Sequence, residues 1–347
     1  MVIQVNNNEF LLEDRIAKIK AINNEYDLEN NGYISFSGGK DSTILHYLFD
    51  LALPNNHIPR VFFNTGLDFK DIRLFVQELA KTDSRFQIVN SGVNIKSMLN
   101  KDGYPFKSKQ HAHNWELFKN NPRLTYIYIS QIENDPTLLE SYEFIHNLPR
   151  GIKTNIKYIY GIREKGTSLY QAMSVLTCPR KLQYQFTKEF VESNRLVMSD
   201  KCCYRMKKEV AHHYEETSRR TIAITGIRAE EGGMRKLGGC TIFEGNNLHK
   251  FHPLKVVDES WVDWFIEKYN IKLCKLYYPP YNFSRTGCVG CPFDMNLQKT
   301  LDTMKELLPN EYKKCELIWK PVYKEYRRIG YRLRPYDLFD LLNETDN

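Results

Sequence analysis

The feature that most constrains the fold is a Gly-Gly turn between a strand and a helix, in the segment YISFSGGKDST at residues 33–43. Residues with high β propensity precede the turn, and residues 43–51 have the spacing of an amphipathic helix that ends before Pro54. Glycines let the backbone approach a ligand closely, and the first turn of a helix presents N–H groups and a partial positive charge. We therefore expect an anion at this turn, where Lys40 adds a further positive charge.

Further strand patterns follow at residues 60–66, 86–89 and 221–224, and a helical pattern over residues 71–81 separates the first two. Strands that alternate with helices are typical of a doubly wound, mostly parallel sheet, whose ligands bind beyond the carboxyl ends of the strands. We therefore predict an α/β fold. In that fold, the turn at residues 37–42 and the loop at residues 64–68 face the same crevice.

Charge and hydropathy limit the partners. The net charge of +7 suits an anionic partner such as a nucleotide or a nucleic acid. The sequence contains no run of about 18 apolar residues, and its first residues lack the pattern of an export signal. We therefore predict no membrane partner and a cytoplasmic location. In that compartment, the eight cysteines are expected to be metal ligands or thiols rather than a disulfide framework.

Four of the cysteines form two close pairs, Cys202 with Cys203 and Cys288 with Cys291. A CxxC pair by itself can be a redox dithiol or half of a zinc site. Four basic residues lie within residues 201–208, and such neighbours favour deprotonated sulfur. The residue types alone leave an iron–sulfur cluster, zinc and free thiols as alternatives.

Several of these motifs resemble those of one known family. SGGKDS at residues 37–42 resembles the signature of the PP-loop family, whose members bind ATP or an adenylyl sulfate. Residues 64–68, GIRAEEGGMR at residues 226–235 and RTGCVGC at residues 285–291 are similar to segments of its phosphoadenylyl-sulfate reductase-like branch. The resemblance covers roughly residues 30–110 and 195–295. It implies a sheet of the PP-loop (adenine nucleotide alpha hydrolase-like) type with a helical, cysteine-bearing C-terminal addition.

On this basis we divide the chain into three parts. The first is an N-terminal helix over residues 1–30. The second is a nucleotide-binding α/β domain over residues 31–240, with a helical insertion near residues 114–150. The third is a cysteine-bearing helical region over residues 241–347.

The resemblance also implies roles for individual residues. The loop at residues 37–42 would hold the phosphates of ATP or of an adenylyl sulfate, with Mg²⁺ near Asp41 or Asp68. A [4Fe–4S] cluster would be held by Cys202, Cys203, Cys288 and Cys291. The residues predicted to bind the nucleotide are Ser37, Gly38, Gly39, Lys40, Asp41, Ser42, Asn64, Thr65, Gly66, Asp68, Gly226, Arg228 and Arg235. Those predicted to be catalytic are Lys40, Asp41, Arg228 and Arg235.

The sequence motifs constrain the reaction less than they constrain the family. Family members that make sulfite carry a nucleophilic cysteine in a C-terminal Glu-Cys-Gly segment, and this sequence contains no such segment. We therefore favour an enzyme that adenylates a substrate with ATP, releases pyrophosphate and transfers sulfur with the help of the cluster. Nucleic acid is a candidate acceptor, and a protein of the cysteine-desulfurase type is a candidate sulfur donor.

Two alternatives remain. One is a reductase of phosphoadenylyl sulfate or adenylyl sulfate that uses a thiol from Cys240 or from a partner, with a thioredoxin-type reductant. The other is a non-catalytic nucleotide- or DNA-binding subunit of a multi-protein system. The sequence identifies neither the acceptor nor the oligomeric state.

Overall fold

A computed structural model describes residues 7–109, 112, 122–149, 152–153, 156, 196–231, 238–328 and 330–335. The strands are β1 (Gly32–Ser35), β2 (Arg60–Asn64), β3 (Phe86–Asn90), β4 (Ile222–Ile224), β5 (Thr241–Glu244) and β6 (Asn247–Phe251). The helices are α1 (Asn7–Tyr26), α2 (Leu28–Asn31), α3 (Lys40–Ala52), α4 (Lys70–Thr82), α5 (Ile95–Asp102), α6 (Pro122–Asn134), α7 (Tyr142–Asn147), α8 (Lys201–Cys203), α9 (Glu209–Ser218), α10 (Glu259–Lys268), α11 (Leu297–Leu307) and α12 (Pro309–Arg328).

The strands form one sheet in the order β3-β2-β1-β4-β6-β5. All neighbouring strands are parallel except β5, which is antiparallel to β6. In the register at the centre of the sheet, Ile34 of β1 lies opposite Arg60 of β2 on one side and Ile224 of β4 on the other. Helices lie between successive parallel strands, which is the doubly wound arrangement. The predicted α/β fold is therefore confirmed.

The strand order reverses direction beside β1. From β1 the chain passes through α3 to β2 and through α4 to β3, so the sheet first grows to one side. It then returns to place β4 on the opposite side of β1. A doubly wound sheet opens a crevice where its order reverses, at the carboxyl ends of the strands. The loops that follow β1 and β4 border this crevice.

Alternate residues of the central strands face opposite sides of the sheet. On one side, Ile34 and Ile224 join a large buried cluster with the apolar faces of α1, α3 and α10. On the other side, Tyr33 and Ala223 pack with Tyr214 of α9. Both faces of the sheet are therefore covered, which explains why β4 reads as a short continuous apolar run.

The hairpin of β5 and β6 was not predicted from the sequence. Residues 241–251 belong to the region that was predicted to be helical. The two strands are joined through Gly245, whose φ of +61° is in the left-handed region. β5 is an edge strand with exposed Ile242 and Phe243, so it lacks the alternation of apolar and polar residues that identifies a half-buried strand. Pairing with β6 therefore decides its conformation.

The chain forms two compact units. The sheet unit comprises residues 1–93, 205–289 and 302–312, and it contains all six strands. The second unit comprises residues 94–204, 290–301 and 313–347. Within the second unit, the Lys107 N–H donates to the hydroxyl of Tyr326 at 2.7 Å, and this hydroxyl donates to the carbonyl of Pro292 at 3.0 Å.

The predicted insertion near residues 114–150 is described only from residue 122 onward, where it contains α6 and α7. The three-part division proposed from the sequence stays a prediction. Within the described ranges, no helix has the length and apolar character needed to cross a bilayer.

Candidate functional site

The turn after β1 requires glycine at residue 38. Gly38 has a φ of +70°, a conformation that side chains other than glycine rarely adopt. A Cβ atom built there would lie 2.8 Å from Cγ2 of Ile72 and 3.2 Å from Cγ2 of Val76, both in α4. The turn therefore packs directly against the helix that follows the loop at residues 64–68.

Serine hydroxyls hold the turn in shape. The Ser37 N–H donates to Oγ of Ser42 at 3.2 Å, and this hydroxyl donates to the carbonyl of Gly39 at 3.0 Å. Gly39 is the residue before α3, and it has no side chain that could cap the N–H groups of the first helical turn. This arrangement of backbone donors at a helix start is suited to an anion.

Two cations from distant parts of the sequence meet at this turn. Arg228, which follows β4, is buried, and its Nε lies 2.9 Å from Oδ1 of Asp41 in the first turn of α3. Glu259, the first residue of α10, accepts from the Nη2 of Arg228 with one carboxylate oxygen and from the Nζ of Lys40 with the other. The predicted residues Lys40, Asp41 and Arg228 are thus brought together, and Glu259 links them.

The charges in this group affect one another. Burial lowers the pKa of Arg228, but the carboxylates of Asp41 and Glu259 outweigh that effect and raise it. Burial raises the pKa of Glu259, but hydrogen bonds from Lys40 and Arg228 outweigh that effect and lower it. Arg228 and Glu259 are therefore both ionised at neutral pH.

Gly226 lets the loop after β4 approach α3. A Cβ atom at this position would lie 3.0 Å from the backbone carbonyl carbon and oxygen of Asp41. Backbone atoms at a helix start cannot move aside as the end of a flexible side chain can. The small residue therefore permits the close approach that places Arg228 beside Asp41.

Tyr277 and Thr286 join the turn to the segment that precedes Cys288. The hydroxyl of Tyr277 accepts from the Lys40 N–H at 3.1 Å and shares a 2.6 Å hydrogen bond with Oγ1 of Thr286. Burial raises the pKa of Tyr277, so it remains a neutral hydroxyl. The turn and the RTGCVGC segment are therefore coupled through two hydroxyl groups.

The loop after β2 is held by its own side chains. Oδ2 of Asp68 accepts from the N–H and from Oγ1 of Thr65, each at 2.8 Å. Oδ1 of Asn64 accepts from the Gly66 N–H at 3.1 Å, and Gly66 has a φ of +76°. Asp68 also forms an antiparallel bridge with Cys288. These contacts bring the predicted segments 64–68 and 285–288 to the same edge of the sheet.

None of the four cysteines predicted to hold a cluster forms a disulfide bond. Cys202, in α8, is buried, whereas Cys203, Cys288 and Cys291 are partly exposed. The described part of the chain contains no group of three or more His, Cys, Asp or Glu side chains placed to hold a metal ion. The thiol chemistry fits a cluster, but the structure supplies no assembled ligand set for one.

Three other cysteines differ in their environment. Burial raises the pKa of Cys274, and burial raises the pKa of Cys315 to about 12, so neither thiol is a ready nucleophile. Cys240 is partly exposed and directly precedes β5. Its carbonyl accepts from the His252 N–H at 2.7 Å, immediately beyond the carboxyl end of β6. Cys240 therefore lies at the same edge of the sheet as the loop that carries Arg228.

The structure brings some of the predicted site residues together, leaves one outside the described residues and adds neighbours that the sequence did not indicate. Arg235 lies outside the described residues. Glu259 and Tyr277 contact the turn but were not among the residues predicted to form the site. An acidic pair, Asp258 with Glu259, at a helix start was the available signal. It could not indicate Lys40 and Arg228 as partners, because these lie 219 and 31 residues away in the sequence.

Comparisons with known proteins agree with these motifs. The family described as "Phosphoadenosine phosphosulfate reductase domain" matches residues 31–134 and 151–294. An uncharacterized protein of Methanocaldococcus jannaschii, MJ0973, is 35% identical over 104 residues, which is 27% of this chain. The chain spans 25% of the length of that relative.

Among solved structures, the chain is similar to the phosphoadenylyl-sulfate (PAPS) reductase of Candida auris, in a phosphate complex. It is 11% identical, and the match covers 83% of this chain and 97% of that chain. The TM-score is 0.39.

Proposed function

Because the chain belongs to the phosphoadenosine phosphosulfate reductase domain family, we propose that it is an enzyme that binds ATP and adenylates a substrate for sulfur transfer. The observation that carries this proposal is the meeting of Lys40 and Arg228 at the glycine turn beside the reversal of strand order. A helix start, a lysine and a buried arginine together suit the adjacent phosphates of a nucleotide. Sulfur transfer is included in this proposal because Cys202 with Cys203 and Cys288 with Cys291 form two close cysteine pairs in the sequence.

The residues of the turn would act by position and charge. Lys40 would neutralise the phosphates as the bond between the α- and β-phosphates breaks, and Arg228 would pair with phosphate oxygens bidentately. Asp41 holds the guanidinium of Arg228 in place, because its carboxylate lies 2.9 Å from Nε. Phosphoryl chemistry of this kind depends mainly on positioning and electrostatic stabilisation.

Mg²⁺ would arrive with the nucleotide. Asp41 is paired with Arg228, and Asp68 accepts two hydrogen bonds from Thr65, so each carboxylate already has protein partners. Mg²⁺ is commonly held by one or two carboxylates together with substrate phosphates rather than by a protein cage. Asp41 fits that role best, because it lies in the first turn of α3. Bound there, the metal would neutralise phosphate charge.

The [4Fe–4S] cluster is the second cofactor of the proposal. Cys202, Cys203, Cys288 and Cys291 would hold it, because four thiolates are the ligands such a cluster requires. The absence of disulfide bonds at these four described cysteines and the basic residues around Cys202 support this assignment. When bound, the cluster would supply redox or sulfur-handling chemistry.

Nucleic acid is the acceptor we propose. Lys313, Lys320 and Lys324 of α12 are exposed and fall within about 40° of one another around the helix axis. Such a row of cations suits a phosphate backbone.

A filter-binding measurement at several salt concentrations tests this surface. The variant carrying Lys320→Glu and Lys324→Glu is expected to bind DNA or RNA more weakly and with a smaller salt dependence; unchanged binding would contradict this acceptor surface.

The position of Cys240 favours a second candidate function, a reductase of adenylyl sulfate or phosphoadenylyl sulfate. Its thiol belongs to a residue at the carboxyl edge of the sheet, where a nucleotide bound at the turn would lie. A thiolate there could attack the sulfur of a bound sulfonucleotide, displacing the adenine nucleotide and leaving an enzyme thiosulfonate. A dithiol reductant of the thioredoxin type would then release sulfite.

Calorimetry on the anaerobically purified protein distinguishes the two. ATP with Mg²⁺, adenylyl sulfate and phosphoadenylyl sulfate are titrated separately into the wild type and into Lys40→Ala. Adenylation requires tight ATP binding that Lys40→Ala weakens, followed by pyrophosphate release when an acceptor is added. A preference for a sulfonucleotide, with sulfite release that Cys240→Ala abolishes, would instead establish the reductase. Equal affinities of Lys40→Ala and wild type for every nucleotide would refute the assignment of the turn.

A further inference from the structure

Glu259 is the common partner of the two cations at the turn. Its carboxylate accepts from Nζ of Lys40 and from Nη2 of Arg228. These are the groups that the proposed function assigns to phosphate oxygens. A carboxylate and a phosphate are both anionic acceptors, so Glu259 and a nucleotide require the same two donors.

In the ion pairs of the described residues at the turn, carboxylates outnumber cations, which opposes the binding of a free polyphosphate. Among the described residues, ion pairs within 4.0 Å join Lys40 and Arg228, two positive charges, to four carboxylates. The group therefore carries a net charge of −2. An incoming polyphosphate adds further negative charge at short range, where repulsion is strong. Those carboxylates belong to Asp41, Glu230, Glu259 and Asp263.

We propose that Glu259 is a specificity-determining residue that competes with nucleotide phosphates for Lys40 and Arg228 and thereby selects metal-complexed over metal-free polyphosphate. This inference rests on the proposed nucleotide site. A nucleotide must displace the Glu259 carboxylate from both cations before its phosphates can bind. A divalent cation on the phosphates reduces the repulsion that accompanies this exchange, whereas a metal-free nucleotide meets it in full.

The local structure permits the exchange. The side chain of Glu259 is 46% exposed, and in the described residues its polar contacts are the two cations. Its backbone is fixed, because the carboxylate of Asp258 accepts from the Trp261 N–H at 2.8 Å and Trp261 is buried. The carboxylate can therefore rotate toward solvent while α10 stays in place.

The test is calorimetry on Glu259→Gln with three probes: ATP with Mg²⁺, ATP with EDTA, and inorganic pyrophosphate with EDTA. Removing the competing charge frees two ion pairs, each of which contributes about 1 kcal/mol or less when partly exposed. The affinity for the two metal-free probes is therefore expected to rise about tenfold. The affinity for ATP with Mg²⁺ is expected to change less than about threefold, because the metal already offsets the charge.

Asp263→Asn is the matched control. Asp263 lies 3.8 Å from Nζ of Lys40, is 67% exposed and has no ion pair with Arg228. Its replacement removes the same charge from the same helix, so the affinity for metal-free probes is expected to rise less than about threefold. Glu259→Asp keeps the charge at the start of α10 but shortens the side chain. Its affinity for the metal-free probes is expected to lie between those of the wild type and Glu259→Gln. It can therefore replace the glutamine variant in the test if that variant unfolds.

The outcomes separate this inference from the proposed function. Unchanged or weaker binding of metal-free ATP by Glu259→Gln, while Lys40→Ala abolishes binding, would overturn the role of Glu259 and leave the nucleotide site intact. A rise of similar size in Asp263→Asn would also overturn it, because general charge would then explain the effect. If Lys40→Ala binds every probe as the wild type does, the proposed function itself fails.

Discussion

Nε of Arg228 lies 2.9 Å from Oδ1 of Asp41, although 187 residues separate them in the sequence. The contact joins the loop after β4 to the first turn of α3, across the point where the strand order reverses. Gly226 makes it sterically feasible, because any larger residue would meet the backbone of Asp41. The anion site is therefore assembled from two loops that only the parallel pairing of β1 with β4 brings together.

Replacing Arg228 with alanine is expected to weaken binding of ATP with Mg²⁺ at least tenfold, because a buried guanidinium that pairs with phosphate is lost. Arg228→Lys should recover part of the affinity, since lysine keeps the charge but not the fork. Arg220→Ala is the control, because Arg220 donates to the carbonyls of Glu29 and Gly32, at the start of β1. It should lower the melting temperature without changing the affinity measured by calorimetry; a comparable loss of affinity in both variants would contradict a specific role for Arg228.

A comparison of Gly38→Ala with Gly92→Ala distinguishes the stability lost through backbone strain from the stability lost through steric crowding. Both glycines have a φ in the left-handed region, +70° and +65°, so both replacements carry a strain of about 1 kcal/mol. Only at Gly38 would the new Cβ meet other atoms, those of Ile72 and Val76. We expect urea denaturation to show Gly38→Ala less stable than Gly92→Ala by about 1–3 kcal/mol. Equal losses would mean that α4 moves aside without cost.

Two buried histidines predict a loss of stability in mild acid. Burial, with Lys255 and Lys250 nearby, lowers the pKa of His252 to about 4, and burial beside Arg60 lowers the pKa of His46 to about 4. Both values lie below the 6.5 of an unfolded chain, so the unfolded state binds more protons. The free energy of unfolding should therefore fall as the pH falls from about 6.5 toward 4.

The measurement is urea denaturation of the wild type and of His252→Asn across that pH range. The variant should lose part of the slope, because one of the two histidines no longer takes up a proton on unfolding. His213→Asn is the control, since His213 is exposed on α9. A wild-type stability that stays constant over this range would contradict the lowered pKa values.

Cysteine replacement tests the cluster directly. Cys288→Ser should remove most of the iron and the visible absorbance of the anaerobically purified protein, because a [4Fe–4S] cluster requires four thiolates. Cys274→Ala replaces a buried cysteine outside the two pairs, so this variant should retain both the iron and the visible absorbance. Iron content measured by mass spectrometry gives the result. An equal iron content in the wild type and in Cys288→Ser would rule out the four-cysteine assignment. Zinc found in place of iron would instead show that the cysteines hold a zinc ion.

The structural part of the sequence prediction succeeded where the signals were local. The turn at residues 37–42, the strands β1 to β4 and the helices α3 and α4 each have a distinctive run of residues. The family followed from the same motifs, and the match over residues 31–134 and 151–294 confirms it. The prediction missed β5 and β6, because an edge hairpin with exposed apolar residues has neither a helical nor an alternating period.

The sequence by itself determined where the glycine turn between β1 and α3 would form, because glycine conformation, helix initiation and strand propensity act over a few neighbouring residues. Only the tertiary structure decided which groups would share the turn. Glu259, Arg228 and Tyr277 come to Lys40 from 219, 188 and 237 residues away through strand pairing and helix packing. Contacts of that range leave no periodic pattern in a single sequence. The turn could therefore be located from the residues, but the carboxylate that pairs with both of its cations could be found only in the folded chain.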